Sequence, residues 1–291
     1  MEINYKSGLT GFQTEDGVRY VVAAQELSDK VITTLATEAN AIFFPAIDGV
    51  SQDEFCEIIS CTSPKGVRIS QSYKDLTCLQ DKVLLEEIIL PRDVKSFDDF
   101  SNLKNLKIFE GQISEIKSNI ECCNSLKNLT LHKLKTKSKS FESINLPGSL
   151  LSLKVNLGNI VSTNGIKKVS DLKHLSFEYM SKLEDLSELP ELKELRDLEL
   201  YSCKKALNND VFKALSSLET LKLNNCGKIE NLEFVKYLSS LRKFTFVNTV
   251  VENDDLSPLL DCKNLEYAGF MDKRSYNLTF DLIHDKLRMK T

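Results

Sequence analysis

Glu178, Glu199 and His174 are of the types that trade protons, so a hydrolase is the first chemistry to weigh. General acid–base catalysis needs a cleft that excludes water and displaces a pKa. No pattern in the chain implies one, and solvated carboxylates on a strand face account for both glutamates. Cysteine is the next candidate nucleophile. The eight Cys stand at 56, 61, 78, 122, 123, 203, 226 and 262. No C-x-x-C occurs, and His132, His174 and His284 join no Cys at zinc-finger spacing, so no metal site is expected. Cys203 and Cys226 have no implied His or basic neighbour to activate a thiolate. Gly makes up only 11 of 291 residues, and the phosphate-binding and nucleophile-elbow patterns do not occur. The expectation is a protein with no catalytic residue and no cofactor.

Composition narrows the class of partner. Lys+Arg is 38 and Asp+Glu is 42, a net charge of 38 − 42 = −4, which gives no electrostatic reason for nucleic-acid binding. With 42% hydrophobic and 27% charged residues the chain reads as folded. No apolar run approaches the ~20 residues of a membrane helix. The opening MEINYKSG has neither the basic start nor the apolar core of an export signal. A cytoplasmic location, no membrane partner and reduced, buried thiols are therefore expected.

The elements that must position these side chains come from a repeat. The pattern L-x-x-L-x-L, with aliphatic residues or Phe replacing Leu, fits Leu126-Lys-Asn-Leu129-Thr-Leu131 and recurs along the chain. Its starts fall at 85, 103, 126, 150, 172, 195, 218, 241 and 265, mostly 22 to 24 residues apart. In each turn the first, fourth and sixth residues point into a shared core and those between point out, because side chains alternate along a strand. One turn cannot bury its apolar side alone, so turns must stack. The ninth position closes the bend after the strand. Met180, Cys203, Cys226 and Thr249 occupy it, a small, polarizable packing ladder.

Between strands, residues 210–215, 232–238 and 256–260 space apolar side chains as short helices do, with Asn or Asp ahead of two of them. Four Lys between 133 and 140 predict an irregular return segment there. Before residue 85 the pattern weakens. Apolar strands near 17–22, 42–44 and 67–69 alternate with helix-like segments 28–38 and 51–60. Residues 1–84 are read as divergent αβ turns forming an N-terminal cap, with a small separate domain as the alternative. Residues 85–275 hold the repeats, and 276–291 a C-terminal cap.

These repeats resemble the leucine-rich-repeat family over at least residues 85 to 270. The ninth-position Cys203 and Cys226 resemble its cysteine-containing type, and Asn159, displaced by one residue, its asparagine type. The resemblance implies an α/β solenoid, a horseshoe with a parallel concave sheet and short convex helices, that binds a protein on the concave face and has no chemistry of its own.

Repeat phase names the outward residues at the third, fifth, seventh and eighth positions. Glu178, Tyr179, Asp197, Glu199 and Tyr201 are expected to form one acidic, aromatic patch, bordered by Lys154 on one side and by Lys222 with Lys243 on the other. Tyr anchors interfaces, and acids steer a basic partner. Phe109 and His132 are expected at a second contact point. The resulting expectation is a free monomer that binds a protein partner, a basic one in the sharpest version, as a specific inhibitor or immunity protein. The alternative is a host-directed effector or a ubiquitin-ligase substrate-recognition component, with a role for the first 84 residues.

Overall fold

The computed structural model describes residues 1–25, 28–47, 49–94 and 96–289. Its two compact units are Met1–His132 and Lys133–Thr291. In the N-terminal unit, β1 (Glu2–Asn4), β2 (Thr10–Gln13) and β3 (Arg19–Val22) run antiparallel in succession. The sequence reading did not anticipate the hairpin β1–β2. Asp16-Gly17, with Gly17 at φ 88°, turns the chain from β2 into β3. From β3 onward β4 (Ala41–Phe44), β5 (Gly66–Ile69), β6 (Glu87–Ile89), β7 (Ile108–Gly111) and β8 (Asn128–Leu134) pair in parallel.

Helices α1 (Ser28–Thr37) and α2 (Gln52–Cys61) connect β3 to β4 and β4 to β5. Helix α2 starts where Ser51 Oγ accepts from Glu54 N and the Glu54 carboxylate accepts from Ser51 N, a reciprocal cap on donors the helix leaves unpaired. It buries Phe55, Ile58 and Ile59. The segments read as strand and helix between residues 17 and 69 are thus β3, α1, β4, α2 and β5.

The register of β7 corrects one repeat. Ile108, Phe109, Glu110 and Gly111 lie opposite Asn128, Leu129, Thr130 and Leu131, and Phe109 lies opposite Ile88. The motif therefore begins at Leu106 rather than Leu103, and Phe109 points inward. It is fully buried, its ring 5.0 Å from that of Phe100 and 6.0 Å from that of Phe97. Gly111 is the reason: a Cβ there would lie 2.9 Å from the tip of the Phe109 ring, so the ring fills the space an aliphatic side chain takes elsewhere. Leu103-x-x-Leu106-x-Ile108 satisfies the same spacing, which hid the shift.

In the C-terminal unit β9 (Ser152–Gly158), β10 (His174–Glu178), β11 (Asp197–Tyr201) and β12 (Thr220–Asn224) are parallel neighbours. A separate pair is formed by β13 (Gly227–Ile229) and β15 (Thr249–Val251). The main series continues from β12 to β14 (Lys243–Thr245) and β16 (Tyr267–Gly269). Leu172, Leu175 and Phe177 are buried, as are Leu195, Leu198 and Leu200 in the next turn and Leu218, Leu221 and Leu223 after it.

Return segments are short: α3 (Asn209–Lys213), α4 (Pro258–Asp261), and 3-10 turns at Ile166–Lys168, Leu189–Glu191 and Glu233–Tyr237. The Lys-rich return is irregular, as expected, and is tied down by hydrogen bonds. Thr136 and Ser140 are buried, and the Asn159 side chain accepts from Thr136 N and donates to Thr136 O, both at 2.9 Å. At the far end α5 (Phe280–Arg288) buries Ile283 and Leu287, and His284 Nε2 sits 2.8 Å from the carbonyl of Ala268 in β16. Residues 290 and 291, the end of the expected cap, lie outside the described residues.

Candidate protein-docking face

The bends that end β8, β9, β10, β11 and β12 and follow β14 share one conformation. Lys133, Leu157, Tyr179, Ser202, Asn225 and Asn248 all hold the eighth position, with φ between 53° and 62°. Left-handed backbone costs a non-glycine residue about 1 kcal/mol, and the stack compensates with hydrogen bonds. Tyr179 N donates to Tyr201 O at 2.8 Å, Ser202 N to Asn224 O at 3.0 Å and Asn225 N to Val247 O at 2.8 Å. At the ninth position Cys203 Sγ donates to Phe177 O at 3.3 Å, Cys226 Sγ to Leu200 O at 3.2 Å and Thr249 Oγ1 to Leu223 O at 2.6 Å. The ladder thus packs and also satisfies a strand-end carbonyl in each preceding turn. Burial pushes the Cys203 thiol up to about 12 and raises Cys226 as well, which suits protonated donors.

Strand register stacks the outward residues in rows. Ser152, His174, Asp197, Thr220, Lys243 and Tyr267 share one row, and Lys154, Ser176, Glu199, Lys222 and Thr245 the next. The expected acids come together here, each with a partner. Lys154 Nζ is 2.6 Å from Glu178 Oε1, and Asn156 Nδ2 donates to Glu178 Oε2 at 2.7 Å. Lys222 Nζ is 3.3 Å from Glu199 Oε2, and His174 Nδ1 is 2.6 Å from Asp197 Oδ2. Three carboxylates (178, 197, 199) stand among three lysines (154, 222, 243), so the patch read as acidic is balanced in charge.

Tyr179 and Tyr201 meet edge to face, with ring centroids 5.2 Å apart at 75°, and Tyr179 is 47% exposed. The second contact point does not form. Phe109 is core, and His132 is only 2% exposed, its Nε2 2.9 Å from Glu110 Oε1. Alternation places His132 on the outward side, but its ring is covered there. Besides the exposed Tyr267, three exposed apolar residues were outward in phase yet left out of the expected site: Leu157, Val247 and Met271. Their signal was an apolar type at a seventh or eighth position.

Solved structures show where this geometry belongs. The internalin InlF of Listeria monocytogenes superposes with a TM-score of 0.54 at 18% identity, over 85% of this chain and 76% of its own. A TLR13–ssRNA13 complex superposes with a TM-score of 0.52 at 15% identity, over 91% of this chain and 51% of the TLR13 chain. The fold is a leucine-rich-repeat solenoid. No family model and no curated protein matches the sequence. The chain spans about half the length of the TLR13 chain.

Each leucine-rich-repeat turn supplies one row-mate to the face, so its chemistry is set turn by turn. Here two adjacent turns supply tyrosines packed edge to face in a frame of cross-strand ion pairs. Side-chain exposures are 54% for His174 and 39% for Asp197 but 17% for Glu178, and each of these acids is engaged with a neighbouring base. Such a surface can hold a partner by shape and hydrogen bonds. Among the described residues no group of three or more His, Cys, Asp or Glu could hold a metal, and no helix is long and apolar enough to cross a membrane.

Proposed function

We propose that the protein is a non-enzymatic protein-binding module that docks a partner on the strand face of its C-terminal unit. Tyr179 and Tyr201 are the anchors, and the pairs Lys154–Glu178, Lys222–Glu199 and His174–Asp197 set the register. The carrying observation is the half-exposed Tyr179 packed on Tyr201 within that frame. Large, stiff side chains with a polar tip bind with little loss of entropy. Balanced charge on the face favours a partner of mixed charge rather than the strongly basic one that the acids alone suggested. A monomeric free state and a cytoplasmic location belong to this reading, and its sharpest form is a specific inhibitor that masks the partner's working surface.

The TLR13 structure is a complex with single-stranded RNA, which makes RNA the competing ligand class. Engagement of Lys154 and Lys222 by carboxylates favours protein. Affinity capture from the source lysate tests the proposal. The wild type should retain a protein, and Tyr179→Ala with Tyr201→Ala should weaken capture about 30-fold, as ~2 kcal/mol of lost anchoring does. Asp197→Lys with Glu199→Lys should abolish it. Equal capture by all three, or retention of RNA alone, contradicts the proposal.

A further inference from the structure

In the N-terminal unit two sulfurs are brought together by a clamp that has no part in the docking face. Cys56 lies in α2, and Cys78 in the 3-10 turn Thr77–Leu79 that follows β5. Both are partly exposed, α2 packs against that turn, and the two thiols interact directly. Gln52, one helical turn before Cys56, fastens the two segments. Its Nε2 donates to Cys56 Sγ at 3.3 Å and to Asp75 O at 3.0 Å. Its Oε1 accepts from Lys74 N at 2.9 Å and Asp75 N at 3.2 Å. On the core side the Tyr73 ring stacks on Phe55 at 4.2 Å, and Tyr73 Oη donates to Val50 O at 3.2 Å. Residues 73–78 are therefore held on α2 at several points, which fixes one thiol beside the other.

We infer that Cys56 and Cys78 are a covalent modification site: a dithiol that a peroxide closes to a disulfide. The Cys56 sulfur attacks one peroxide oxygen, the O–O bond breaks, and Cys56 becomes a sulfenic acid as hydroxide leaves. The Cys78 sulfur then attacks the Cys56 sulfur. The S–S bond forms, the S–O bond breaks, and the hydroxyl departs as water with the Cys78 proton. In sum, two thiols are oxidised, and one hydrogen peroxide is reduced to two waters. Burial and the adjoining Cys56 push the Cys78 thiol up to about 12, so it is protonated at neutral pH and the first attack falls to Cys56. A disulfide needs a sulfur–sulfur bond of roughly 2.05 Å, and α2 already packs against the turn that carries Cys78. The bond would staple α2 to the next turn.

The test treats the full-length protein with hydrogen peroxide, alkylates it in denaturant and maps peptides without reduction. The expected product is monomeric, with the Cys56 and Cys78 peptides joined, alkylatable thiols reduced from eight to six, and reversal by a dithiol reductant. Cys78→Ser should leave a sulfenic acid at Cys56 that a 1,3-dione traps. Gln52→Ala should slow closure several-fold while the circular dichroism spectrum stays unchanged. Cys56 and Cys78 both remaining alkylatable in the wild type, with oxidation confined to the exposed Cys61 or to links between chains, would overturn the inference.

Discussion

The strand faces of the two units use equivalent outward positions in opposite ways. In the N-terminal unit Tyr20 lies flat across its neighbours. Its phenol donates to Glu87, which also accepts from Arg68 at 2.6 and 3.0 Å. The Arg68 guanidinium sits 4.7 Å above the Tyr20 ring, and Phe12 stacks on that ring at 4.8 Å. Tyr20 is wholly buried, and burial with the Glu87 carboxylate pushes its phenol well above the usual tyrosine range. Gly66 permits this: a Cβ there would lie 2.8 Å from Tyr20 Oη. In the C-terminal unit ion pairs join neighbouring strands, and Tyr179 stands out from the surface. A row of outward residues can thus close on itself for stability or stay open for a partner. The width of the side chains in the next strands decides which.

The largest break in this comparison should come from Glu87→Ala, which strips the partner from both Tyr20 and Arg68. With Glu87 12% and Arg68 30% exposed in their side chains, the loss should be about 3 kcal/mol in urea unfolding. Glu199→Ala, on the open face, should cost less than ~1 kcal/mol. Equal losses would erase the distinction. Gly66→Ala should follow at about 2 kcal/mol, through crowding of Tyr20. In the bends, Thr249→Val removes the hydroxyl that donates to Leu223 O and accepts from Cys226 N, and should lower stability by about 1 kcal/mol.

The smallest effect is a pH dependence common to both units. Hydrogen bonding to Lys107 holds the Glu86 carboxyl below its ordinary 4.5, and the Ser187 N–H holds Asp185 below 3.8. Folded values below unfolded ones mean that the stabilisation is complete above those ordinary values and is lost as pH falls through the folded ones. Thermal melts should therefore be level between about pH 5 and pH 8 and decline below about pH 4. A gain in stability on acidification would reverse the sign.

Much of this architecture was legible because burial repeats. Leu198 and Leu200 recur as Leu221 and Leu223, and only stacked strands shelter both pairs. The bend residues were legible as positions, but not as left-handed backbone, since Leu157 and Tyr179 lack the Gly or Asn usual there. Phe109 was misplaced because Leu103 and Leu106 satisfy the same spacing. Charge balance was hidden for another reason: sequence places Lys154 beside the patch, but only register and side-chain reach show it on Glu178. Nor could spacing alone bring Cys56 to Cys78, which depends on Gln52 and Tyr73.

Tyrosine nitration of the free and partner-bound protein tests the open face most directly. Tyr179 and Tyr201 should react in the free protein and be protected in the complex, while Tyr20 stays unreactive in both. Nitration of Tyr20 as readily as Tyr179, or a complex that leaves Tyr179 unprotected, would contradict the account.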